Sequence, residues 1–287
     1  MNRDQPAQPG VHASSTGQTM TGADWLDVHF DACRPEYEAM LRSVGIQTGW
    51  HVLDAGCGSG SYLPLMAALV GPAGRIAALD LAPDNVASVE HRTSGWERAT
   101  AVEARVGSIL SLPYEDAAFD AVWCAATTQY LTDRELTVAL GEFRRVVRPG
   151  GLVTIKEFDA TMPRFTPARP LLFAHTFEVL ARGGELQVQA AGCLRAQSLP
   201  IWLRRAGLTS VWMRRSLIER SAPLGLSERQ LWGDYFTLWA PMMLRHELPD
   251  EDRAVWERLA NPAEREHLLD DPDFSSCEGH VVAVGTV

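Results

Sequence analysis

The sequence predicts an α/β fold, a doubly wound sheet of parallel strands under a helical cap. Three observations carry this. Between residues 51 and 158, apolar stretches of strand length alternate with amphipathic stretches of helix length, the pattern of parallel strands joined by crossover helices. A glycine-rich run, "DAGCGSG" at residues 54–60, joins the first strand to the first helix. Beyond Asp159 the alternation stops, and helical, aromatic sequence takes over with only two further strands. At 287 residues and 46% hydrophobic, the chain is long enough for a core domain with an added cap.

Residues 1–22 are rich in Pro, Gly, Ser, Thr and Gln and read as a disordered tail; they lack the apolar core of a secretory signal. Residues 23–49 form a lid region. Its helix, Asp24 to Val44, has Trp25, Phe30, Tyr37, Met40, Leu41 and Val44 as apolar positions, and Pro35 kinks or splits it. Residues 50–160 form the core. "HVLDAG" is its first strand, "SYLPLMAALVG" a helix, "GRIAALDL" the second strand, and "PDNVASVEHRT" a helix with Pro83 in its first turn. "AVEARVG" and "FDAVWCAA" are the third and fourth strands, the latter with few polar residues, as burial on both faces requires. "DRELTVALGEFRRVV" is an amphipathic helix ended by "RPGG", and "LVTIKEF" is the fifth strand. Residues 161–226 add the helices "PLLFAHTFEVLARGG" and "LPIWLRRAGL" and a sixth strand, "TSVWMRRSLI". Residues 227–272 are an aromatic helical cap, and residues 273–287 contain the final strand.

The formal charge of −10 disfavours a nucleic-acid partner. No apolar run approaches the roughly 20 residues that span a bilayer. The five cysteines are scattered, without a C-x-x-C pair, which indicates neither a disulfide framework nor a zinc site and fits a reducing cytoplasm. No spacing of His, Cys and carboxylates marks a metal site, so none is expected.

The glycine loop follows the first strand, so it lies at the carboxyl edge of the sheet, where open α/β sheets bind ligands. Gly56 and Gly58 permit tight turning and close backbone approach, and the following helix offers unpaired N–H groups. A tight turn without a ligand is the competing reading. Asp80 ends the second strand about 20 residues beyond the glycines, where an acceptor for ribose hydroxyls belongs; it is equally placed to cap the next helix. Loop and aspartate together indicate an adenosine-containing cofactor. A dinucleotide loop is usually G-x-G-x-x-G, whereas here the third glycine comes one residue early. Asp54, just before the first glycine, would repel a pyrophosphate but suits an amino-acid ammonium.

With "VLDAGCGSG", "IAALDLAP", "VGSILSLPYEDAAFDAV" and "EFRRVVRPGGLV" in this order, the chain resembles the class I S-adenosylmethionine-dependent methyltransferases. The similarity is to the small-molecule, natural-product branch that includes the menaquinone- and ubiquinone-type enzymes. It covers residues 34–159 and, more loosely, the closing two strands. It implies a Rossmann-like, seven-stranded sheet whose last strand is antiparallel. It further implies that Asp54, Gly56 and Gly58 hold the methionine part of the cofactor and Asp80 the ribose hydroxyls. Leu81 and Ile109 would meet the adenine, and Ala125 would line the reactive end. Ser108 stands where the family commonly has an acid for the adenine amino group. Gln129 and Tyr130 stand where many relatives have a histidine. Relatives often close the site with an N-terminal helix, sometimes from a neighbouring subunit, so Tyr37 is expected to face the cofactor. A homo-oligomer would form through that helix or the cap.

Methyl transfer requires alignment, and a base only if the nucleophile is protonated. Glu157 and Asp159, ending the fifth strand, and His175, in the inserted helix, are the catalytic candidates. His29 and His246 read as ordinary helix residues. Trp25, Trp232, Tyr235, Phe236 and Trp239 belong to the lid and cap; they either form a hydrophobic core or line a pocket for an apolar or aromatic metabolite, together with Gln129 and Tyr130. The expected activity is methyl transfer to the O, N or C atom of such a small molecule in secondary metabolism. The alternatives are a protein that uses the cofactor structurally while catalysing a different reaction, and an NAD-linked oxidoreductase.

Overall fold

Pro35 decides the form of the first described helices. Helix α1 (Ala23–Ala32) stops at Cys33, and α2 (Arg34–Arg42) starts with the proline in its first turn, where a missing N–H leaves no helical bond unmade. The sequence's single lid helix is therefore split in two. The computed structural model describes residues 23–96, 100–184 and 186–287; the expected disordered tail lies outside the described residues.

The core then alternates as predicted: β1 (His51–Ala55), α3 (Leu63–Val70), β2 (Arg75–Asp80), α4 (Pro83–Thr93), β3 (Ala101–Val106), β4 (Phe119–Ala125), α5 (Asp133–Val146) and β5 (Val147–Phe158). Helix α5 shows why boundaries fall where they do. Thr132 and Glu135 form a reciprocal capping box at its start, satisfying two donors that would otherwise be orphaned. The insertion contributes β6 (Arg164–Thr166), α6 (Leu172–Ala181), α7 (Gln187–Arg195) and α8 (Leu199–Arg205), followed by β7 (Thr209–Ser221). The cap is α9 (Leu226–Met243), α10 (Asp250–Ala260) and α11 (Pro262–Leu269), and β8 (Ser275–Thr286) closes the chain.

The strand order is β3-β2-β1-β4-β5-β8, with β7 paired to the opposite edge of β8. Strands β1 to β5 are parallel, and β8 is antiparallel to both neighbours. The sheet has eight strands, not the seven expected. The eighth is β6, three residues that pair with Ser275–Cys277 of β8, too short a stretch for alternation to reveal. Helix α7 is likewise an element that the sequence did not announce.

One buried cluster, including Leu41, Leu63, Met66 and Trp123, packs α2 and α3 on one face of the sheet; another, including Leu136, Phe143 and Leu203, packs α5 and α8 on the other. The cap has its own core around Phe165, Phe173, Trp232, Phe236 and Trp256. No helix among the described residues is long and apolar enough to cross a membrane. The order reverses between β1 and β4, so their carboxyl ends diverge and leave a crevice between them.

Candidate active site

The crevice is built first by the glycine loop. Gly56 (φ +79°) and Gly58 (φ +53°) take backbone conformations that L side chains rarely adopt. At Gly56 there is also no room: a Cβ would lie 2.3 Å from Thr127 Oγ1 and 2.9 Å from its Cβ. The Gly56 and Cys57 N–H groups both donate to the Leu79 carbonyl, at 2.7 and 3.0 Å. Asp80 fixes the turn from the other side. Its Oδ2 accepts from the Gly58 N–H (2.8 Å), while Oδ1 accepts from the Ala82 N–H (2.9 Å) and Asn85 Nδ2 (3.0 Å). Asp80 thus caps α4 and braces the loop. A carboxylate has about four acceptor directions, so one remains for a ligand in the cleft that Asp80 lines.

That cleft has a cavity volume of about 120 Å³. Tyr37, Asp54, Gly56, Gly58, Asp80 and Ala125 line it. A side pocket sharing Gly56, Asp80, Thr127 and Tyr130 with the cleft is lined by Leu81, Ser108 and Ile109. The fold therefore places all nine residues expected to hold the cofactor on one continuous hollow. Ser108 Oγ accepts a local bond from the Leu110 N–H at 3.2 Å, so its hydroxyl proton is what it offers to a ligand. Asp54 is 1% exposed, and its Oδ2 has no hydrogen-bond partner among the described residues. Burial, together with the neighbouring charge of Asp80, pushes its carboxyl up to about 8.

The other end of the cleft was not legible. Leu26, His29 and Phe30 of α1, Tyr62, and Lys156 of β5 line it. Tyr37 Oη lies 3.1 Å from His29 Nε2 and 3.5 Å from His280 Nε2. His280 Nε2 in turn lies 3.2 Å from Glu278 Oε2. His29, Cys33 and Glu278 come within 4.8 Å of one another; His29 and Cys33 are four positions apart, and only Glu278 is remote in the chain. Burial pushes the His280 ring down to about 3, and the two histidines hold the Glu278 carboxyl well below its usual range against its burial. The Lys156 ammonium sits 3.6 Å from the centre of the Tyr37 ring, a cation–π contact.

The three catalytic candidates lie elsewhere. Glu157 turns its Oε1 to Thr128 Oγ1 (2.6 Å) and the Gln129 N–H (3.1 Å), beneath the short turn at 128–130. Asp159 Oδ1 caps the next loop, accepting from the Thr161 N–H and hydroxyl. His175 Nδ1 pairs with Asp252 Oδ2 at 2.7 Å inside the cap. None of the three lines the cleft. Alternation explains the side taken by Glu157: in a strand, neighbours face opposite ways, and it is Lys156 that faces the cleft. Of the aromatic and polar candidates, only Tyr130 lines it. Gln129 is buried, donating to the Ala126 carbonyl and accepting from Cys193 Sγ. Trp232 and Phe236 are cap core, and Trp239 packs on Phe177. Trp25 and Tyr235 pack on each other and on His29, one layer behind the cleft wall. His29, read as an ordinary helix residue, is a wall residue. Lys156 carried one signal in the sequence, a lone cation inside the apolar strand "LVTIKEF", since such residues are almost never buried without a reason.

A family model described as a methyltransferase domain matches residues 52–151, the span from β1 and the glycine loop through α5 into the start of β5. The chain thus carries a methyltransferase domain over these residues. Among curated relatives, a demethylmenaquinone methyltransferase from Staphylococcus aureus is 26% identical over 156 residues, 54% of this chain and 63% of that protein. The chain spans between 36% and 63% of the length of the first curated relatives it matches. Solved structures share the fold of the methyltransferase domain. An S-adenosylmethionine-dependent methyltransferase from Aquifex aeolicus has a TM-score of 0.50 at 20% identity, covering 69% of this chain and 91% of that one. The [4+2]-cyclase SpnF has the same TM-score and identity, covering 89% of this chain and 82% of its own. The cofactor of the domain is S-adenosylmethionine, and the residues present fit it. A buried, unpartnered Asp54 oxygen awaits a cation, the backbone at Gly56 is open to close approach, and Asp80 has an acceptor direction free.

Proposed function

We propose that the protein transfers the methyl group of S-adenosylmethionine to a small apolar or aromatic metabolite, in secondary metabolism. The observation that carries this reading is the composition of one cleft: cation- and hydroxyl-accepting carboxylates at one end, aromatic rings and ionisable side chains at the other. When bound, the cofactor supplies an electrophilic methyl group on a positively charged sulfur. The chain's own residues do the positioning. Asp54 would take the ammonium, Asp80 the ribose hydroxyls, and Leu81 and Ile109 the faces of the adenine. Phe30, Tyr37 and Tyr62, with ring centroids 4.9–6.1 Å apart, close the far wall against water and leave an apolar surface for the acceptor. Alignment of this kind supplies several kcal/mol of a transfer barrier. The five buried free cysteines support a reducing, cytoplasmic setting.

Titration calorimetry with S-adenosylhomocysteine tests the cofactor, and thermal stabilisation by NAD in its place would instead support an oxidoreductase. The likeness to a cyclase favours one second reading, in which the cofactor is held while a different reaction is catalysed. Incubation with methyl-labelled cofactor and candidate acceptors separates the two: transfer of label supports the methyltransferase, and product formed without label supports the alternative.

A further inference from the structure

We propose that Lys156 anchors the acceptor, and that the acceptor is an aromatic molecule bearing an ionisable hydroxyl of the phenol class, held at its oxygen by the Lys156 amine. The inference deepens the methyltransferase reading and rests on it.

The first observation is a buried cation without an anion. Lys156 is 2% exposed, lines the cleft, and makes its contact with the face of the Tyr37 ring. No carboxylate within ion-pairing distance of it is found among the described residues. Two buried carboxylates in the surrounding network each engage one oxygen elsewhere: Glu157 Oε1 accepts from Thr128 and Gln129 on the opposite side of the strand, and Glu278 Oε2 meets His280, while Glu157 Oε2 and Glu278 Oε1 have no hydrogen-bond partner among the described residues. A buried ammonium in this position is costly unless something in the cleft completes it.

The second observation separates this end from the cofactor. Asp54 is on β1 and Lys156 on β5, with β4 between them and Lys156 opposite Ala125 rather than Trp123, so two strand spacings of roughly 4.8 Å each set the Lys156 partner apart from the cofactor's ammonium. The third observation is the wall around the amine. Tyr37, Phe30 and Tyr62 form a continuous array of rings, backed by His29 and Trp25. A flat, conjugated acceptor matches those faces, and its polar edge must then meet a donor.

The groups on the side of Lys156 are the Tyr37 ring from α2, Cys33 between α1 and α2, and Glu278 and His280 from β8; Glu157, next to it on β5, points to the opposite side. Burial is the largest influence and lowers the basicity of the amine, with the nearby anionic groups opposing it. The amine is thereby able to take a proton as well as to hold an anion. The step balances simply. The hydroxyl O–H bond breaks, its proton joins the neutral Nζ, and the electron pair remains on oxygen, giving an oxyanion beside an ammonium with no change in total charge. An acceptor that arrives already ionised meets the ammonium directly.

The test uses the full chain saturated with S-adenosylhomocysteine and 4-nitrophenol as the probe, followed at the phenolate absorption band as pH is varied. The wild-type protein is expected to bind the probe as phenolate at a pH where the free probe is still largely protonated. In K156M, probe binding should weaken roughly tenfold to a hundredfold, the range for a bond to a charged group, and the spectral shift should vanish. K156R, which keeps the charge, should retain the shift. S-adenosylhomocysteine affinity measured on the same K156M sample should be unchanged, which also shows that the variant is folded. The proposal is overturned if wild type shows no phenolate uptake, if K156M shows the same uptake, or if K156M instead loses S-adenosylhomocysteine, which would assign Lys156 to the cofactor. Failure of the wild-type chain to bind S-adenosylhomocysteine would remove the methyltransferase reading, and this inference with it.

Discussion

The two ends of the cleft are assembled in opposite ways. At the cofactor end, Asp54, Gly56 and Gly58 are neighbours in the chain, and Asp80 reaches them through one β-α-β crossover. At the acceptor end, His29, Tyr37, Lys156, Glu278 and His280 come from α1, α2, β5 and β8, brought together by the sheet order. A ligand present in every turnover is held by a compact local device, whereas the part that meets a particular acceptor is composed from distant segments. Substitutions should therefore separate cleanly: those at the loop disturb cofactor binding and local folding together, and those at the far end leave the cofactor alone.

The largest expected effect is at Gly56. Gly56→Ala places a Cβ against Thr127 and demands φ +79° of alanine, strain of the order of 1–3 kcal/mol before the clash is counted. Calorimetry should detect no S-adenosylhomocysteine binding. Adding Thr127→Gly removes every one of these side-chain contacts but not the strain, so affinity should return only in part; full recovery would show that space alone requires the glycine. Asp80→Ala comes next. It removes the ribose acceptor and the brace on Gly58, and the affinity for S-adenosylhomocysteine should fall by about 1.5–3 kcal/mol, the range for bonds to a charged group. Unchanged affinity would sink the assignment of Asp80 to the ribose.

The same contrast explains what the sequence disclosed. The strands and helices of residues 51–158 follow from period and punctuation, and the loop's chemistry follows from three glycines and two aspartates within 27 positions. Lys156 was readable only as an oddity, because nothing near it in the chain names its companions. Strand alternation keeps Glu157 out of the cleft lining, since one position decides which side of the sheet a residue serves. His175 is drawn into the cap by Asp252, a partner that no local pattern reveals. Trp232 and Phe236 illustrate a different limit: aromatic residues at helical spacing look the same whether they line a pocket or fill a core.

A smaller effect should appear in the pH dependence of the ligand-free protein. Asp54 keeps its proton up to about 8 in the folded chain, against 3.8 for an ordinary aspartate. Between those values the folded state holds a proton that the unfolded chain has released, so stability is greatest below about 4 and falls as pH rises, levelling off above about 8. Asp54→Asn cannot ionise and should flatten this contribution. Its melting temperature should exceed that of wild type at pH 8 by at least about 2 °C, the shift expected from roughly 1 kcal/mol in a chain of this size. An identical pH profile in the two proteins would mean that Asp54 is ionised in the empty cleft. The variant should also lose cofactor affinity, so a more stable protein would be a less competent one.

The smallest effect distinguishes the two lid helices from each other. Helix α2 buries Tyr37, Met40 and Leu41 to 4% exposure or less, as part of the permanent core on the sheet. Helix α1 is half-buried along most of its described side chains, with Phe30 and Ala32 as its buried positions. Beside the packing of Trp25 on Tyr235 and of Phe30 on Tyr37 and Tyr62, α1 has polar anchors: Asp27 accepts from Ser59 Oγ and Ser61 Oγ of the glycine loop at 2.7 Å each and pairs with Arg92 of α4 at 2.9 Å. Its Leu26 approaches Gly58. Anchors made of an exposed ion pair and two hydroxyls open locally at little cost, and a ligand that fixes the loop also fixes them. Hydrogen exchange should therefore show increased protection in residues 23–32 when S-adenosylhomocysteine binds, and no change in residues 34–42. Asp27→Ala should lower the protection of α1 in the free protein and reduce the gain on binding, while leaving α2 as it was. Equal protection of α1 with and without ligand would make both helices fixed walls of the cleft, and entry of the acceptor would then require movement of the α9 side instead.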